Sequence, residues 1–115
     1  AKNSVLSDCD PTAHAEINAI RTACKKLKTH DLSNYILYTS CYPCPMCLGA
    51  IVWSNIKTVY YGNTKEDAED IGFRDNQIYE FIKGKNNIIN FQNIDRDITI
   101  KVFEDYKNNC NKINY

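Results

Sequence analysis

The sequence has no long apolar run, no excess of charge of either sign and little glycine or proline. No stretch approaches the roughly 20 apolar residues that a membrane-spanning helix needs, and the first ten residues contain no apolar signal-peptide core. Fourteen basic residues balance fourteen acidic ones, so the broad positive field of nucleic-acid-binding proteins is missing. Four glycines and three prolines exclude collagen-like and low-complexity chains. These absences predict a cytoplasmic protein without membrane association and disfavour nucleic acid as a partner.

The length and the cysteine content set the next limits. A chain of 115 residues, 43% of them hydrophobic, can bury one core but not two, so we expect a single domain over residues 1–115. Six cysteines would suit three disulfides in a secreted protein, but no export signal supports that reading. In a reducing compartment, clustered cysteines more often bind a metal.

Hydrophobic spacing predicts helix, strand, helix and strand in the first half of the chain. Asp10 as cap and Pro11 as first helical residue begin a helix that ends near Lys28. Its apolar residues recur at spacings of three and four: Ala13, Ile17, Ile20, Cys24 and Leu27. Residues 34–40 and 57–62 predict strands, with a helix at 43–53 between them. Such a unit implies parallel pairing, so the residues that follow the first strand lie at one edge of the sheet.

The second half of the chain has weaker patterns. Residues 64–70 predict a short acidic helix, residues 77–83 another helix, and residues 89–93 a weak strand. Apolar or half-apolar residues four apart then predict a last amphipathic helix over residues 97–110: Ile98, Val102, Tyr106 and Cys110.

Two apparent helix starts carry possible metal ligands. His14 lies in the first, and Cys44 and Cys47 are spaced as i and i+3 in the second. Free backbone N–H groups at a helix start favour the thiolate, which is the form of cysteine that binds metal. One histidine and two cysteines leave the fourth position of a tetrahedral zinc ion open for water. If the two helix starts meet at one edge of the sheet, the chain can hold one zinc ion.

Glu16, two residues after His14, is the candidate catalytic group. A carboxylate close to a metal but not bound to it can take a proton from activated water and return it to a leaving group. Two simpler interpretations stay open. A glutamate in the first turn suits the helix dipole, and a histidine there can be a cap or a surface residue.

The cysteine spacing has a further interpretation. Cys41, Cys44 and Cys47 form C-x2-C-x2-C, which is reminiscent of an iron–sulfur run. Ala50 stands where such a run needs its fourth cysteine, so zinc is favoured.

Together the two stretches read H-x-E followed by P-C-x-x-C, the signature of zinc-dependent nucleobase deaminases. Residues 11–62 resemble the cytidine deaminase-like superfamily. The resemblance implies an α/β fold, a three-layer α/β/α sandwich around a mixed sheet. It also implies that His14, Cys44 and Cys47 hold the zinc, and that Glu16 shuttles the proton while ammonia leaves a ring carbon. Cys41 receives no role.

The stretch EDAEDIGFRDNQIYEFI, residues 66–82, resembles the guanine deaminases of that superfamily. The expected reaction is therefore hydrolytic deamination of guanine to xanthine and ammonia, and the neutral charge agrees with a small-molecule substrate. The core motif alone is equally compatible with a tRNA adenosine deaminase or another nucleobase deaminase. A non-catalytic zinc-stabilised module, with the fourth zinc position closed by protein, is the alternative from another class.

The same resemblance implies a set of purine contacts. Asp75 is the candidate for specificity, because a carboxylate accepts from the N–H donors of guanine and rejects bases with the opposite pattern. Asn3 and the backbone amide of Ala15 would also contact the base. Trp53 or Phe73 could supply an apolar wall, although both could equally be ordinary core aromatics.

The resemblance also bears on the two ends of the chain. Family members normally have a helix and a two-stranded hairpin ahead of the position of Asn3, so we expect either a fragment or a sheet that lacks two strands. Guanine deaminases exchange their carboxyl-terminal segments in a homodimer, which would bring Tyr115 over the purine of the neighbouring subunit. A tyrosine suits such a lid because its ring excludes water while its hydroxyl still forms a hydrogen bond. A frayed terminus is the alternative.

Overall fold

The computed structural model describes all residues from Ala1 to Tyr115 as five helices and two strands. Their order along the chain is α1 (Ala15–Leu27), β1 (Ile36–Cys41), α2 (Pro45–Trp53), β2 (Thr58–Asn63), α3 (Lys65–Asp70), α4 (Asp75–Ile82) and α5 (Arg96–Lys107). No helix is both long enough and apolar enough to cross a membrane.

The two strands pair in parallel, as the strand–helix–strand pattern predicts. Ile36 lies opposite Thr58 and Tyr38 opposite Tyr60, and the pairing continues to Cys41 opposite Asn63. The α/β class is therefore confirmed. The sheet contains only this parallel pair, so the three-layer sandwich and the mixed sheet remain predictions.

Helices α1 and α2 cover one face of the sheet and form the core with it. The core consists of Leu32, Leu37, Ile51 and Ile56, with Ile20, Ala23, Cys24, Leu48 and Val59 packed against them. Burying one such aliphatic side chain contributes about 1.5–3 kcal/mol. Side chains alternate across a strand, so Ile36, Tyr38 and Tyr60 point to the other face, where all three are exposed. The rings of Tyr38 and Tyr60 stack there at 5.1 Å between centroids.

The start of α1 differs from the prediction. Asp10 does not cap the helix; its Oδ1 accepts hydrogen bonds from the backbone N–H of Thr12 at 2.8 Å and from the Thr12 hydroxyl at 2.7 Å. The carboxylate of Asp10 therefore stabilises this local turn instead of capping the helix. The backbone is still extended at His14, the residue that precedes the helix. The first helix therefore starts at Ala15, four residues after the predicted start at Pro11.

The remaining elements follow the predictions, with shifted ends and one exception. Helix α2 starts at Pro45, two residues later than predicted, and α3, α4 and α5 are present. Residues 89–93 form no strand, so that prediction is wrong. The segment has no strand beside it, and a single strand without a neighbour leaves its N–H and C=O groups to water. Several apolar residues of α5, including Val102 and Phe103, are exposed.

Candidate functional site

The first residues of α1 and α2 meet at the carboxyl end of β1. His14 immediately precedes α1, and Cys44 immediately precedes α2, where the Cys44 sulfur accepts a hydrogen bond from the backbone N–H of Cys47 at 3.5 Å. Pro45 suits the first helical position because its fixed φ is helical and no N–H is needed there. The cysteine at the cap position thus directs both sulfurs toward His14.

The three side chains form a compact ligand set. Nδ1 of His14 lies 3.6 Å from Sγ of Cys44 and 3.7 Å from Sγ of Cys47, and all three ligand atoms lie within 4.8 Å of one another. Tetrahedral zinc with ordinary Zn–S and Zn–N bond lengths requires a sulfur-to-nitrogen separation of about 3.6 Å. The distances therefore fit one zinc ion per chain.

The pKa values of the two thiols are shifted in opposite directions. The hydrogen bond with the Cys47 side chain, strengthened by the Cys47 backbone N–H, lowers the pKa of the Cys44 thiol to about 6. The same hydrogen bond, together with burial and the charges of Cys44 and Glu16, raises the pKa of the Cys47 thiol. Since zinc binds thiolates, metal binding at neutral pH requires the release of the Cys47 proton.

Glu16 lies beside the ligand set but outside it. Its Oε1 accepts a hydrogen bond from the Thr39 hydroxyl at 3.0 Å, and its Oε2 lies 3.5 Å from Sγ of Cys47. The carboxylate is not part of the metal-ligand group, which contains only His14, Cys44 and Cys47. A carboxylate at this distance can exchange protons with a molecule bound at the metal centre without occupying a coordination position.

An open pocket of about 490 Å³ is lined by two of the three ligands, His14 and Cys44, and by most of the predicted purine contacts. Predicted site residues line much of it: Asn3, His14, Ala15, Glu16, Cys44, Phe73 and Asp75. Phe73 is 58% exposed, so it is a pocket wall and not a core aromatic. Residues more than 50 positions apart in the chain thus converge on one cavity.

The structure does not bring Trp53 or Tyr115 to this pocket. Trp53 is the last residue of α2, whose other end adjoins the metal centre. Its side chain is 65% exposed, so it is neither a pocket wall nor a core residue of this chain. Tyr115 lies against Trp53, with ring centroids 5.7 Å apart, and near His30 at 6.5 Å. Trp53 lies away from the metal centre because the nine residues of α2 place its two ends about 13 Å apart.

Two residues at the pocket have no assigned role in the sequence patterns. Thr39 and Cys41 both line the cavity from β1. Burial, with the negative charges of Asp75 and Glu16, raises the pKa of the Cys41 thiol, which is therefore protonated and lies outside the ligand group. The only spacing signal is that of Cys41 in the C-x2-C-x2-C run, which gave it no role, but alternation along the strand places both residues on the same face as buried Leu37.

The sequence patterns also did not predict a contact between α4 and Pro43, which lies in the loop before Cys44. The Tyr79 hydroxyl donates to the carbonyl oxygen of Pro43 at 2.9 Å, directly before Cys44. The Lys65 ammonium lies 4.4 Å from the ring centre of Tyr79 and 4.8 Å from that of Tyr42. Burial raises the pKa of Tyr79 to about 12, so the hydroxyl keeps its proton for this hydrogen bond at neutral pH.

Tyr79→Phe is therefore expected to lower the free energy of unfolding of the zinc-loaded protein by about 1 kcal/mol, because one partly buried hydrogen bond is lost while the ring remains. Urea unfolding followed by circular dichroism measures the change. Tyr35→Phe is the matched control, since its side chain is exposed just before β1 and the same change there should alter stability little. Equal stability of the Tyr79→Phe variant and the parent would contradict the prediction.

Comparison with known proteins agrees with the geometry of this centre. Residues 1–63 match the cytidine and deoxycytidylate deaminase zinc-binding region. This match covers more than half of the chain, and the chain belongs to that family.

Over almost its whole length the chain is similar to the guanine deaminase of Bacillus subtilis (strain 168). The two are 44% identical over 116 aligned residues, which cover 99% of this chain and 74% of that protein. The X-ray structure of guanine deaminase from Bacillus subtilis superposes with a TM-score of 0.91 over 98% of this chain and 73% of that chain. The resemblance to guanine deaminases is thus confirmed as homology.

The tRNA-specific adenosine deaminase of Buchnera aphidicola subsp. Schizaphis graminum is similar over a shorter region. It is 48% identical over 65 residues, which cover 56% of this chain and 43% of that protein. A guanine deaminase from Nitrosomonas europaea superposes with a TM-score of 0.61 and 39% identity over 64% of this chain and 43% of that chain.

Proposed function

We propose that this protein catalyses the zinc-dependent hydrolytic deamination of guanine to xanthine and ammonia, as a step in purine breakdown. The observation that carries the proposal is that the ligand set of His14, Cys44 and Cys47 adjoins a pocket that Glu16 and Asp75 also line. The similarity to a guanine deaminase over 99% of the chain supports the choice of base.

In this proposal His14, Cys44 and Cys47 hold one zinc ion, and Glu16 moves the proton. Zinc supplies a Lewis acid that activates water when it is bound. Glu16 takes the proton at its carboxylate and delivers it to the amino group that leaves as ammonia, which is general base and then general acid catalysis by one side chain. Its position beside the ligands, and not among them, supports this role.

The proposed purine contacts are complementary to guanine. Asp75 begins α4 at the pocket and presents only acceptors to the N–H groups of the base. The Oδ1 of Asn3 already accepts from the backbone N–H of Val5 at 3.0 Å, so its amide nitrogen is available to donate to a ring acceptor. Ala15 is the first residue of α1, where backbone N–H groups have no partner within the helix. Phe73 supplies an apolar wall.

Asp75→Asn is expected to raise the free energy barrier for guanine turnover by about 1–3 kcal/mol, because an acceptor-only group is replaced by one that also presents donors. Steady-state kinetics measured as kcat/KM for guanine tests this. Asp70→Asn, at the exposed end of α3, is the matched control and should leave kcat/KM unchanged. Normal guanine kinetics in the Asp75→Asn variant would remove Asp75 from the site.

The decisive experiment is a turnover assay with several amines. Purified zinc-loaded protein is incubated with guanine, adenine, cytosine and tRNA, and the ammonia released is measured. Turnover of guanine alone supports the proposal, whereas a preference for tRNA would make the protein an adenosine deaminase. Absence of turnover with one bound zinc would indicate a non-catalytic zinc-stabilised module.

The proposal also covers the domain organisation, the layers of the fold and the cellular compartment. We propose that residues 1–115 form one cytidine deaminase-like domain, and that its fold is a three-layer α/β/α sandwich around a mixed sheet. The exposed rings of Tyr38 and Tyr60 support a further layer, which would bury them. The six free cysteines support the cytoplasm as its compartment, because a reducing environment keeps thiols free.

We also propose a homodimer with exchanged carboxyl-terminal segments, in which Tyr115 covers the purine of the partner subunit and Trp53 lies near that contact. Two observations support it. Ile98, Val102 and Phe103 of α5 are exposed in the single chain, and Tyr115 lies against Trp53, away from the pocket of its own chain.

A further inference from the structure

Thr39 of β1 reaches the carboxylate that the proposed reaction uses. It is half-buried on the covered face of the sheet, between α1 and α2, and it lines the pocket. Its Oγ1 lies 3.0 Å from Oε1 of Glu16 and 3.2 Å from the carbonyl oxygen of Cys41. Thr39 is the hydroxyl-bearing residue in hydrogen-bond contact with Glu16.

The hydroxyl of Thr39 has one proton and two acceptors within reach, so it can donate to only one of them at a time. The Glu16 oxygen is nearer, and an ionised carboxylate accepts a stronger hydrogen bond than a neutral carbonyl does. The hydrogen bond to Glu16 is therefore the favoured one.

Glu16 has one other side-chain contact. Its Oε2 lies 3.5 Å from Sγ of Cys47, which is a longer contact and involves a sulfur of the ligand set. The shorter hydrogen bond, at 3.0 Å, is the one from the Thr39 hydroxyl, so Thr39 is the better placed of the two to orient the carboxylate.

We propose that Thr39 is the positioning residue for Glu16. By holding Oε1 from β1, it fixes the carboxylate so that Oε2 faces the metal centre and is free to take and return the proton. This inference rests on the proposed function, because it assigns Thr39 a part in the same proton transfer. It adds a strand residue to a site whose proposed zinc ligands and proton carrier lie at the starts of α1 and α2.

The test removes the hydroxyl without changing the shape of the side chain. Thr39→Val is expected to lower kcat roughly 10- to 100-fold with KM within about threefold of the parent, because a misplaced carboxylate affects proton transfer more than base binding. Zinc should remain at one per chain. Thr39→Ser restores the hydroxyl and should recover kcat to within about threefold. Thr58→Val, the same change on the exposed face of β2, is the matched control.

An unchanged kcat in Thr39→Val, a change confined to KM, or no recovery in Thr39→Ser would overturn the proposal. A crystal structure of the zinc-loaded parent provides a readout that does not depend on turnover or on the substrate. It should show Oγ1 of Thr39 within hydrogen-bond distance of a Glu16 oxygen, and a hydroxyl bonded only to the Cys41 carbonyl would overturn it. If the parent deaminates another base in place of guanine, the assignment of guanine fails, while the same variants tested with that base still decide the role of Thr39.

Discussion

Glu16→Gln should retain one zinc ion per chain and lose roughly 10²- to 10⁴-fold in guanine turnover, which is the range for loss of a general acid–base group. The amide keeps the size of the side chain and still accepts the hydrogen bond from Thr39, so the pocket should keep its shape. It cannot carry a proton between water and the leaving amino group. The expected loss therefore appears in kcat, while zinc content measured by elemental analysis stays at one.

The chain offers a matched control for this change. Glu66 is the second residue of α3, as Glu16 is the second residue of α1, but Glu66 is exposed and is not among the residues that line the pocket. Glu66→Gln should therefore leave turnover and zinc content unchanged. Near-normal turnover in the Glu16→Gln variant would remove this residue from the mechanism. Loss of zinc in that variant would instead indicate a role in shaping the metal centre.

Deletion of residues 111–115 should abolish most guanine turnover while zinc is retained. In the proposed dimer this segment brings Tyr115 over the purine of the partner subunit, where its ring excludes water. The zinc ligands lie more than 60 residues earlier in the chain, so the deletion leaves them intact. Tyr115→Phe is the matched control: it keeps the ring, so it should lose less activity than the deletion. Unchanged turnover after the deletion would make the segment an ordinary flexible terminus.

Mixing two inactive chains tests the exchange itself. A Glu16→Gln chain has an intact tail and an inactive pocket, whereas a tail-deleted chain has an intact pocket and no lid. If the tail acts across the interface, mixed dimers should regain activity, because the tail of the first chain covers the pocket of the second. Each variant mixed with itself is the control and should stay inactive. Absence of recovery in chains shown to form mixed dimers would contradict the exchange.

The metal-binding side chains could be predicted from the sequence because their spacing reflects local geometry. Cys44 and Cys47 are three residues apart at a helix start, and the strand–helix–strand pattern places that start at the edge of the sheet. That His14 meets them there follows from the packing of α1, which the sequence left as a condition. The helix boundaries were predicted less well. The side chain of Asp10 could cap a helix or close a local turn, and periodicity alone does not distinguish these two uses.

The contacts of Thr39 and Tyr79 could not be predicted in this way. Each hydrogen bond joins residues more than 20 positions apart, and neither residue belongs to a motif with a fixed spacing. The position of Tyr115 against Trp53 is likewise a tertiary contact between distant segments. Sequence patterns describe which face of an element a residue occupies, but the partner it meets there depends on how the elements pack.

Because His14 and Cys44 each precede a helix and are 30 residues apart, a metal ion that joins them would cross-link the chain around a closed loop. For a covalent cross-link, the chain-entropy model gives about 3–4 kcal/mol for a loop of that length. Only 11 of the 115 residues are buried, so the apolar core by itself is small. The ion would thus be a reversible cross-link between the first two helices. The same three side chains that bind it for the reaction would also stabilise the folded chain.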